Sequence, residues 1–235
     1  ELRTPLTLIL SPIESMLKDT RDDKEKKRLN TIYSNANRLL YLVNQLLDFR
    51  KSEVAALTFN GSSGDVIEFL RTVYNQFGVA AEKKDIAMSF KTNVGHLDMV
   101  FDADKLSKTL NNLISNAMKF TPAGGSVTVD LTLTGKMLRI RVVDTGCGVP
   151  DEDKTQVFER FYQSRNSKGA DGGSGIGLNL VKEYVRLHDG DVWVQDTPGG
   201  GATFTVDIPV REGPAPKLSM SGDAGKTDAS ALHTE

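Results

Sequence analysis

Apolar residues recur at three- to four-residue spacing over residues 1–52, first from Leu6 to Leu17 and again from Leu29 to Leu47. This spacing places them on one face of a helix, and the charged stretch Lys18–Lys27 between them is typical of a polar turn. Two helices alone cannot enclose both stripes. The pattern therefore predicts a helical hairpin that pairs with a second copy into a four-helix bundle, or else packs on the rest of its own chain.

Two prolines lie within the first stripe. Thr4-Pro5 is typical of an N-cap followed by proline at the first helical position. Ser11-Pro12-Ile13-Glu14 has the form of a capping box and predicts a second possible start. The sequence leaves open whether one kinked helix or a later start is correct.

From about Leu57 the pattern changes to alternating helices and strands. Helical spacing covers three segments: Asp65–Glu82, Asp104–Phe120 and Ile176–His188, the last with Gly190 as a candidate cap. Strands are predicted for six segments: Ile86–Lys91, Met99–Asp102, Ser126–Leu133 with Met137–Val143 as a hairpin, Val192–Gln195 and Thr203–Ile208. The fold class is therefore α+β, with helices on one face of a mixed sheet.

Two further segments contain few apolar residues. Gln163–Ser174 is expected to be a loop, and Gly213–Glu235, rich in Gly, Ala and Ser, a linker or tail. These boundaries predict a hairpin domain at 1–53, a larger domain at 54–211 and a tail at 212–235.

Composition excludes several classes of function. With 39% hydrophobic and 26% charged residues, the chain is ordinary for a globular protein. A net charge of −2 gives no indication of binding to nucleic acid or to a membrane. The single cysteine, Cys147, excludes an internal disulfide framework. No apolar run approaches the roughly 20 residues of a membrane span.

The helix Asp104–Phe120 carries the strongest candidate site. Asn112, Asn116 and Lys119 are spaced i, i+4, i+7 and share one face, whereas Leu106, Leu110, Leu113 and Ala117 share another. Amide oxygens can bind Mg²⁺ alongside substrate phosphates, and an ammonium neutralises phosphate charge. A solvated polar face is the simpler explanation of this helix taken alone.

Three glycine motifs follow, each weak by itself. Asp144-Thr-Gly146-Cys-Gly148 comes directly after a strand and offers a carboxylate beside a tight turn. Asp-Thr-Gly also marks aspartic proteases, in which a dimer would supply the second carboxylate. Gly173-Ser-Gly175-Ile176-Gly177-Leu178 opens a helix, where backbone N–H groups favour anions. Gly199–Phe204 turns into the last strand.

In their order these motifs resemble the N, G1, F, G2 and G3 boxes of sensor histidine kinases, with Phe158 and Phe161 in the F box. Glu1-Leu-Arg-Thr4-Pro-Leu resembles the rest of the H box. The resemblance spans residues 1 to about 211, and the tail is similar to the linker to a receiver domain in hybrid kinases. It implies the ATP-binding α/β sandwich also used by gyrase and the ninety-kilodalton heat-shock chaperones.

The resemblance also implies roles for single residues. Asn116 would ligate Mg²⁺ and Asn112 and Lys119 would contact the phosphates of ATP. Asp144 would accept the adenine amino group. The other expected ATP-site residues are Phe120 and Gly148 at the adenine pocket, Thr203 supporting Asp144, and Gly146, Gly173, Gly175, Ile176, Gly177 and Leu178 from the glycine motifs. Gln163–Ser174 would form the lid over the nucleotide.

In this family the phosphate-accepting histidine directly precedes the segment that begins at Glu1. Glu1 would be the base that activates it and Thr4 would position water for dephosphorylation. His96, His188 and His233 lie in unrelated contexts, and His188 is expected to be a surface cap of its helix. The chain as it stands is therefore expected to bind ATP and dimerise without phosphorylating itself.

The resemblance further implies a response-regulator receiver as partner, and a location on the cytoplasmic side of a membrane-anchored bacterial receptor. No contact with nucleic acid or membrane is expected of these residues. Two other functions remain open: a non-catalytic ATP-binding dimerisation scaffold and, more remotely, a dimeric aspartic protease.

Overall fold

The computed structural model describes residues 3–20, 22, 24–33, 35, 36, 39, 43, 57–164 and 175–213. Its first helix, α1, spans Arg3–Asp19. The second, α2, is helical at 24–33 and again at 35, 36, 39 and 43. The Tyr33 hydroxyl on α2 donates a hydrogen bond of 2.6 Å to a carboxylate oxygen of Glu14 on α1. The predicted hairpin is thus confirmed where it is described.

α1 runs through Pro12 without interruption. The alternative start at Ser11 is therefore wrong, and one helix carries both prolines. Leu10 and Ile13 are buried, but Leu8, Ile9 and Met16 remain 68%, 49% and 55% exposed. An apolar stripe of this kind on a hairpin is the feature that predicts pairing with a second copy.

The remaining described residues form a second unit that begins after the hairpin. Its strands are β1 Ser62–Asp65, β2 Ala87–Thr92, β3 Asp98–Phe101, β4 Ser126–Thr134, β5 Met137–Asp144, β6 Asp191–Asp196 and β7 Ala202–Pro209. Its helices are α3 Val66–Asn75, α4 Gly78–Lys83, α5 Ala103–Phe120 and α6 Gly177–Leu187, with short 3₁₀ turns at Asp151–Asp153 and Gln156–Phe158.

Five strands form a mixed sheet in the order β2-β4-β5-β7-β6, in which β2 and β4 are parallel and the other pairs antiparallel. Alternate residues of β4, β5 and β7 join α3, α5 and α6 in one core. The opposite face carries polar side chains, such as the Arg139–Asp207 ion pair. The predicted α+β class, with helices on one face of a mixed sheet, is confirmed.

The observed secondary structure differs from the predicted one in two places. The helix expected over Asp65–Glu82 divides into α3 and α4, because a tighter turn from Gln76 N–H to Val73 O at 3.3 Å ends α3 ahead of Gly78. β1 was not predicted, because its sequence Ser-Ser-Gly-Asp contains no apolar residue. It pairs with β3 in a separate two-stranded sheet.

None of the helices within the described residues is long and apolar enough to cross a bilayer.

His188 is buried, at 2% exposure, so the prediction of a surface cap is wrong. It does occupy the C-cap of α6. Its Nε2 accepts the Asp102 N–H at 3.1 Å, and its Nδ1 therefore donates to Tyr184 O at 2.8 Å. The bond from Asp102 requires the neutral ring, because Nε2 accepts only when it carries no proton. The ring joins the end of α6 to the N-cap of α5.

At the end of α6, the residue with left-handed backbone conformation is not the expected Gly190. Asp189, rather than Gly190, adopts positive φ, at 55°. The N–H groups of Asp189 and Gly190 bond to Arg186 O and Val185 O, each at 3.0 Å, as in a Schellman motif. A Cβ on Gly190 would lie 2.3 Å from Asp207 O, so close packing requires glycine there.

His188 predicts a loss of stability on mild acidification. Burial lowers its pKa below the ordinary value of 6.5, so the unfolded chain binds the proton more readily. Its contribution is complete above about pH 6.5 and is lost as pH falls towards the folded-state pKa. Thermal unfolding from pH 7.5 to 5.5 should show a decline of a few degrees in Tm that His188→Gln reduces.

His96 provides the matched control. It is exposed between Asp65 and Asp98, at 2.8 and 3.0 Å, and these carboxylates raise its pKa. Its contribution therefore has the opposite sign: it is present at acid pH and lost as pH rises. The assignment to His188 would be contradicted if the fall in Tm on acidification persisted in His188→Gln and disappeared in His96→Gln.

Candidate functional site

Asp144, the last residue of β5, is a buried carboxylate with 3% exposure. Its Oδ1 accepts two backbone N–H groups, from Gly146 at 2.9 Å and Ala202 at 3.1 Å. Its Oδ2 makes no hydrogen bond to the described residues. This atom is not fully buried. One oxygen is therefore fixed and the other is an accessible acceptor.

Burial is the main influence on the ionisation of this carboxyl. It raises the pKa of Asp144 above the ordinary value of 3.8, and the hydrogen bonds from Gly146 and Ala202 act in the opposite direction. A carboxylate held in this way favours a ligand group that donates a hydrogen bond.

Glycines surround Asp144 for steric reasons. A Cβ on Gly146 would lie 2.5 Å from Phe120 O, and one on Gly201 would lie 2.0 Å from Asp144 O. Gly148 has φ of 71°, and its Cβ would approach Gly201 O at 3.2 Å. The glycines of the first and third motifs therefore meet at Asp144, as does the C-terminal end of α5 through Phe120.

The helix α5 has the two faces that its sequence predicts. Leu106, Leu110, Leu113 and Ala117 are at most 2% exposed. On the other face Asn112 is 8% exposed, with its Nδ2 bonded to Lys108 O at 2.8 Å. Asn116, Lys119 and Phe120 are half-buried, and Lys119 Nζ lies 5.0 Å from the centre of the Phe120 ring.

The second glycine motif is described from Gly175 onwards. Gly175 has φ of 67°, and Gly177 begins α6. Ile176 is buried against Leu180 and Tyr184, and Leu178 is partly buried against the main core. Gly173 and most of the predicted lid, residues 165–174, lie outside the described residues.

The two aromatic residues of the expected F box lie in different environments. Phe158 is a core residue, 5% exposed and 6.2 Å from the Phe204 ring, whereas Phe161 is 58% exposed.

The structure gives less information on three further predicted site residues, Thr203, Glu1 and Thr4. The Thr203 hydroxyl lies 3.0 Å from that of Thr197, and the N–H of the neighbouring Ala202 donates to Asp144. Glu1 and the side chain of Thr4 lie outside the described residues. Their expected roles remain predictions.

Ala202 is the participant that sequence reasoning missed. It acts through its backbone N–H, and no side chain marks such a group. The glycines before it were the available signal, because closely approaching backbones need residues without a Cβ.

A magnesium ion fits the donor types available on α5. Within the described residues no group of three or more His, Cys, Asp or Glu side chains could hold a metal. Mg²⁺ commonly takes only one or two protein ligands and completes its shell with substrate phosphates and water. The amide oxygens of the α5 polar face suit that arrangement.

Two family profiles match this chain. Residues 1–54 match the His Kinase A (phospho-acceptor) domain. Residues 101–212 match the histidine kinase-, DNA gyrase B- and HSP90-like ATPase family. The chain belongs to the sensor histidine kinases. The match over Asp144 and its glycines also argues against the aspartic protease alternative.

Its curated relatives are much longer proteins. Histidine kinase P4 of Formosa agariphila is 36% identical over 91% of this chain and 16% of its own length. The hybrid signal transduction histidine kinase D of Dictyostelium discoideum is 39% identical over 89% of the chain and 14% of its own. The sensor histidine kinase WalK of Bacillus subtilis is 33% identical over 90% and 35%. The chain therefore spans a minor part of these three relatives.

Solved structures show the same fold. Full-length ShkA in complex with AMPPNP aligns with a TM-score of 0.74 at 27% identity, over 91% of this kinase chain and 45% of its own. Histidine kinase ThkA in complex with response regulator protein TrrA aligns with a TM-score of 0.63 at 22% identity, over 88% and 58%. The predicted fold class is thus confirmed.

Substitution of Gly201 should destabilise the fold by a steric clash, and the same substitution at Gly200 is the control. Gly201→Ala puts a methyl group against Asp144 O, whereas Gly200 has a similar φ, 112° against 106°, and nothing within 4 Å of its Cβ position. Urea unfolding should therefore show Gly201→Ala to be less stable than Gly200→Ala by about 1–3 kcal/mol, the usual cost of overpacking. Equal losses in the two variants would mean that the contact with Asp144 is unimportant.

Proposed function

We propose that residues 54–211 of this histidine kinase bind Mg-ATP, with Asp144 accepting the adenine amino group. The observation that carries this proposal is the asymmetry of the Asp144 carboxylate. Oδ1 is occupied by two backbone N–H groups and Oδ2 remains accessible. A single open acceptor at a buried position suits an amino group and disfavours a keto oxygen.

The phosphate end of the site lies on α5 in this proposal. Asn112, Asn116 and Lys119 line the face opposite the core residues, and Asn116 would ligate Mg²⁺. The cation neutralises the charge on the transferring phosphoryl group when it is bound. Lys119 adds a positive charge, and Phe120 contributes an aromatic surface for the adenine.

The glycine motifs complete the proposed site through their backbones. Gly146 and Gly148 permit close approach at the adenine end. Backbone N–H groups near the N-terminus of α6 would face the phosphates, with Gly173, Gly175, Ile176, Gly177 and Leu178 as the expected contributors. Thr203 is the expected further support of Asp144.

The reaction proposed for the longer protein is transfer of the γ-phosphoryl group of ATP to a histidine directly before Glu1. Glu1 would accept the imidazole proton and make the ring nitrogen more nucleophilic. The phosphoryl group would then pass to an aspartate of a receiver domain. Thr4 would position a water molecule that hydrolyses the phosphorylated receiver to release inorganic phosphate. The match of residues 1–54 to the phosphoacceptor family supports this role.

Two copies of the chain would associate through the hairpin, with the exposed Leu8, Ile9 and Met16 in the bundle. A receiver domain is the proposed second partner, and the complex of ThkA with TrrA supports this by analogy. The whole protein would carry this core on the cytoplasmic side of a membrane. A non-catalytic ATP-binding scaffold is the competing function.

Asp144→Asn tests the adenine contact. The amide keeps an oxygen for Gly146 and Ala202 but turns an NH₂ group towards the ligand, so two donors would face each other. Binding of Mg-ATP, measured by titration calorimetry, should weaken by roughly ten- to a hundredfold. Preference for ATP over inosine triphosphate, which has a keto oxygen in place of the amino group, should fall with it.

Asp191→Asn is the matched control for this change. Asp191 is an exposed carboxylate on the edge strand β6. Its conversion should leave affinity unchanged. Unaltered nucleotide preference in a folded Asp144→Asn variant would remove the adenine assignment.

Extension of the chain by a histidine before Glu1 separates a kinase from a scaffold. With γ-labelled ATP, the extended chain should acquire acid-labile, alkali-stable label, and the chain beginning at Glu1 should acquire none. Glu1→Gln in the extended chain should slow labelling by about a hundredfold or more, the usual contribution of a general base. Label on the unextended chain, or none on the extended one, would contradict the proposed reaction.

A further inference from the structure

Two segments that flank residues 165–174 meet at one point. The Phe161 N–H donates to Gly175 O at 2.9 Å. A Cβ on Gly175 would lie 2.7 Å from the Phe161 backbone, so the chain approaches this closely only with glycine there. We name this contact between Phe161 and Gly175 the neck.

The neck includes a residue in an unfavourable conformation. Phe161 has φ of 61°, in the left-handed region that bulky side chains seldom adopt. Such a conformation costs free energy and persists only where the surrounding contacts hold it, and it is commonest at functional sites. Other residues must therefore hold the turn that ends at Phe161.

Asn179, in the first turn of α6, is one of these residues. It is 5% exposed, and its Nδ2 donates to Phe158 O at 3.1 Å. Its Oδ1 is also buried and makes no hydrogen bond within the described part of the chain. Burying an acceptor without a partner costs free energy of folding, and an apolar side chain of similar size would avoid that cost. The presence of an amide here therefore indicates that its hydrogen bond to Phe158 O has a role.

An ion pair on the surface of the same two elements is weak. Lys182 Nζ lies 3.1 Å from a carboxylate oxygen of Glu159, but both side chains are about half exposed. Exposed ion pairs contribute little, because water and salt screen them. The buried amide of Asn179 therefore provides the more specific connection between α6 and the turn that leads to the neck.

We propose that Asn179 is a positioning residue for nucleotide binding. By holding Phe158 O against α6, it fixes the turn that ends at Phe161. The neck then fixes Gly175, which immediately precedes the Ile176–Gly177 backbone at the start of α6. The inference rests on the proposed function, in which that backbone contacts the phosphates of ATP.

Asn179→Asp tests this role with little change of shape. The ionised carboxylate cannot donate to Phe158 O. Asn93 offers a matched control, because its Nδ2 donates to Leu133 O at 3.0 Å and its Oδ1 accepts the Leu133 N–H at 2.8 Å, in a turn outside the candidate site. Asn93→Asp makes the same chemical change there.

Two quantities are measured on the whole chain: the Kd for Mg-AMPPNP and the hydrogen-exchange protection of the Phe161 N–H. Asn179→Asp should raise the Kd about fivefold or more, as expected for one lost hydrogen bond, and should reduce the Phe161 protection. Asn93→Asp should leave both within about twofold, whatever its effect on Tm. If Asn179→Asp does not fold, Asn179→Leu, which has a similar size and no donor, undergoes the same two measurements.

The outcomes separate this inference from the function on which it rests. A wild-type chain without affinity for Mg-AMPPNP would overturn the proposed function and the inference together. A wild type that binds, with a folded Asn179 variant of unchanged Kd, would overturn the inference alone. An equal rise in Kd for Asn93→Asp would also overturn it, because general destabilisation would then explain the loss.

Discussion

The candidate site depends on one buried carboxylate. Asp144 can remain at the end of β5 because Gly146 and Ala202 direct backbone N–H groups at its Oδ1. Ala202 lies 58 residues further along the chain, so this bond joins two distant glycine motifs. The second N–H can reach Asp144 only because Gly201 has no Cβ. Both N–H groups bond to Oδ1, so Oδ2 has no hydrogen bond within the described residues.

α5 connects this carboxylate to the core and to the phosphate end of the proposed site. Its buried leucines each contribute about 1.5–3 kcal/mol and fix the direction of its polar face. The start of the helix is anchored by Asp102, which caps it and whose N–H is bonded to His188. Its end lies against Gly146 through the carbonyl of Phe120. The same helix therefore determines where Asn116 stands relative to the Asp144 turn.

Secondary structure can be predicted from this sequence wherever the apolar periodicity is strong. The prediction fails where contacts between distant backbone groups determine the structure. The two faces of α5 and the β4–β5 hairpin follow directly from apolar spacing. β1 does not, because it has no apolar residue and forms through pairing with β3. His188 was expected at the surface, since its tertiary contact with Asp102 leaves no local signal. For the site, motif order indicated Asp144, but no residue type could indicate the Ala202 N–H that holds it.

In the proposed ATP site, Oδ2 of Asp144 is the acceptor for the adenine amino group. A crystal structure of this chain with Mg-AMPPNP tests it most directly. The adenine amino nitrogen should lie about 3 Å from Asp144 Oδ2, with Oδ1 still bonded to Gly146 and Ala202. Adenine bound elsewhere, with Oδ2 of Asp144 facing only water, would contradict it.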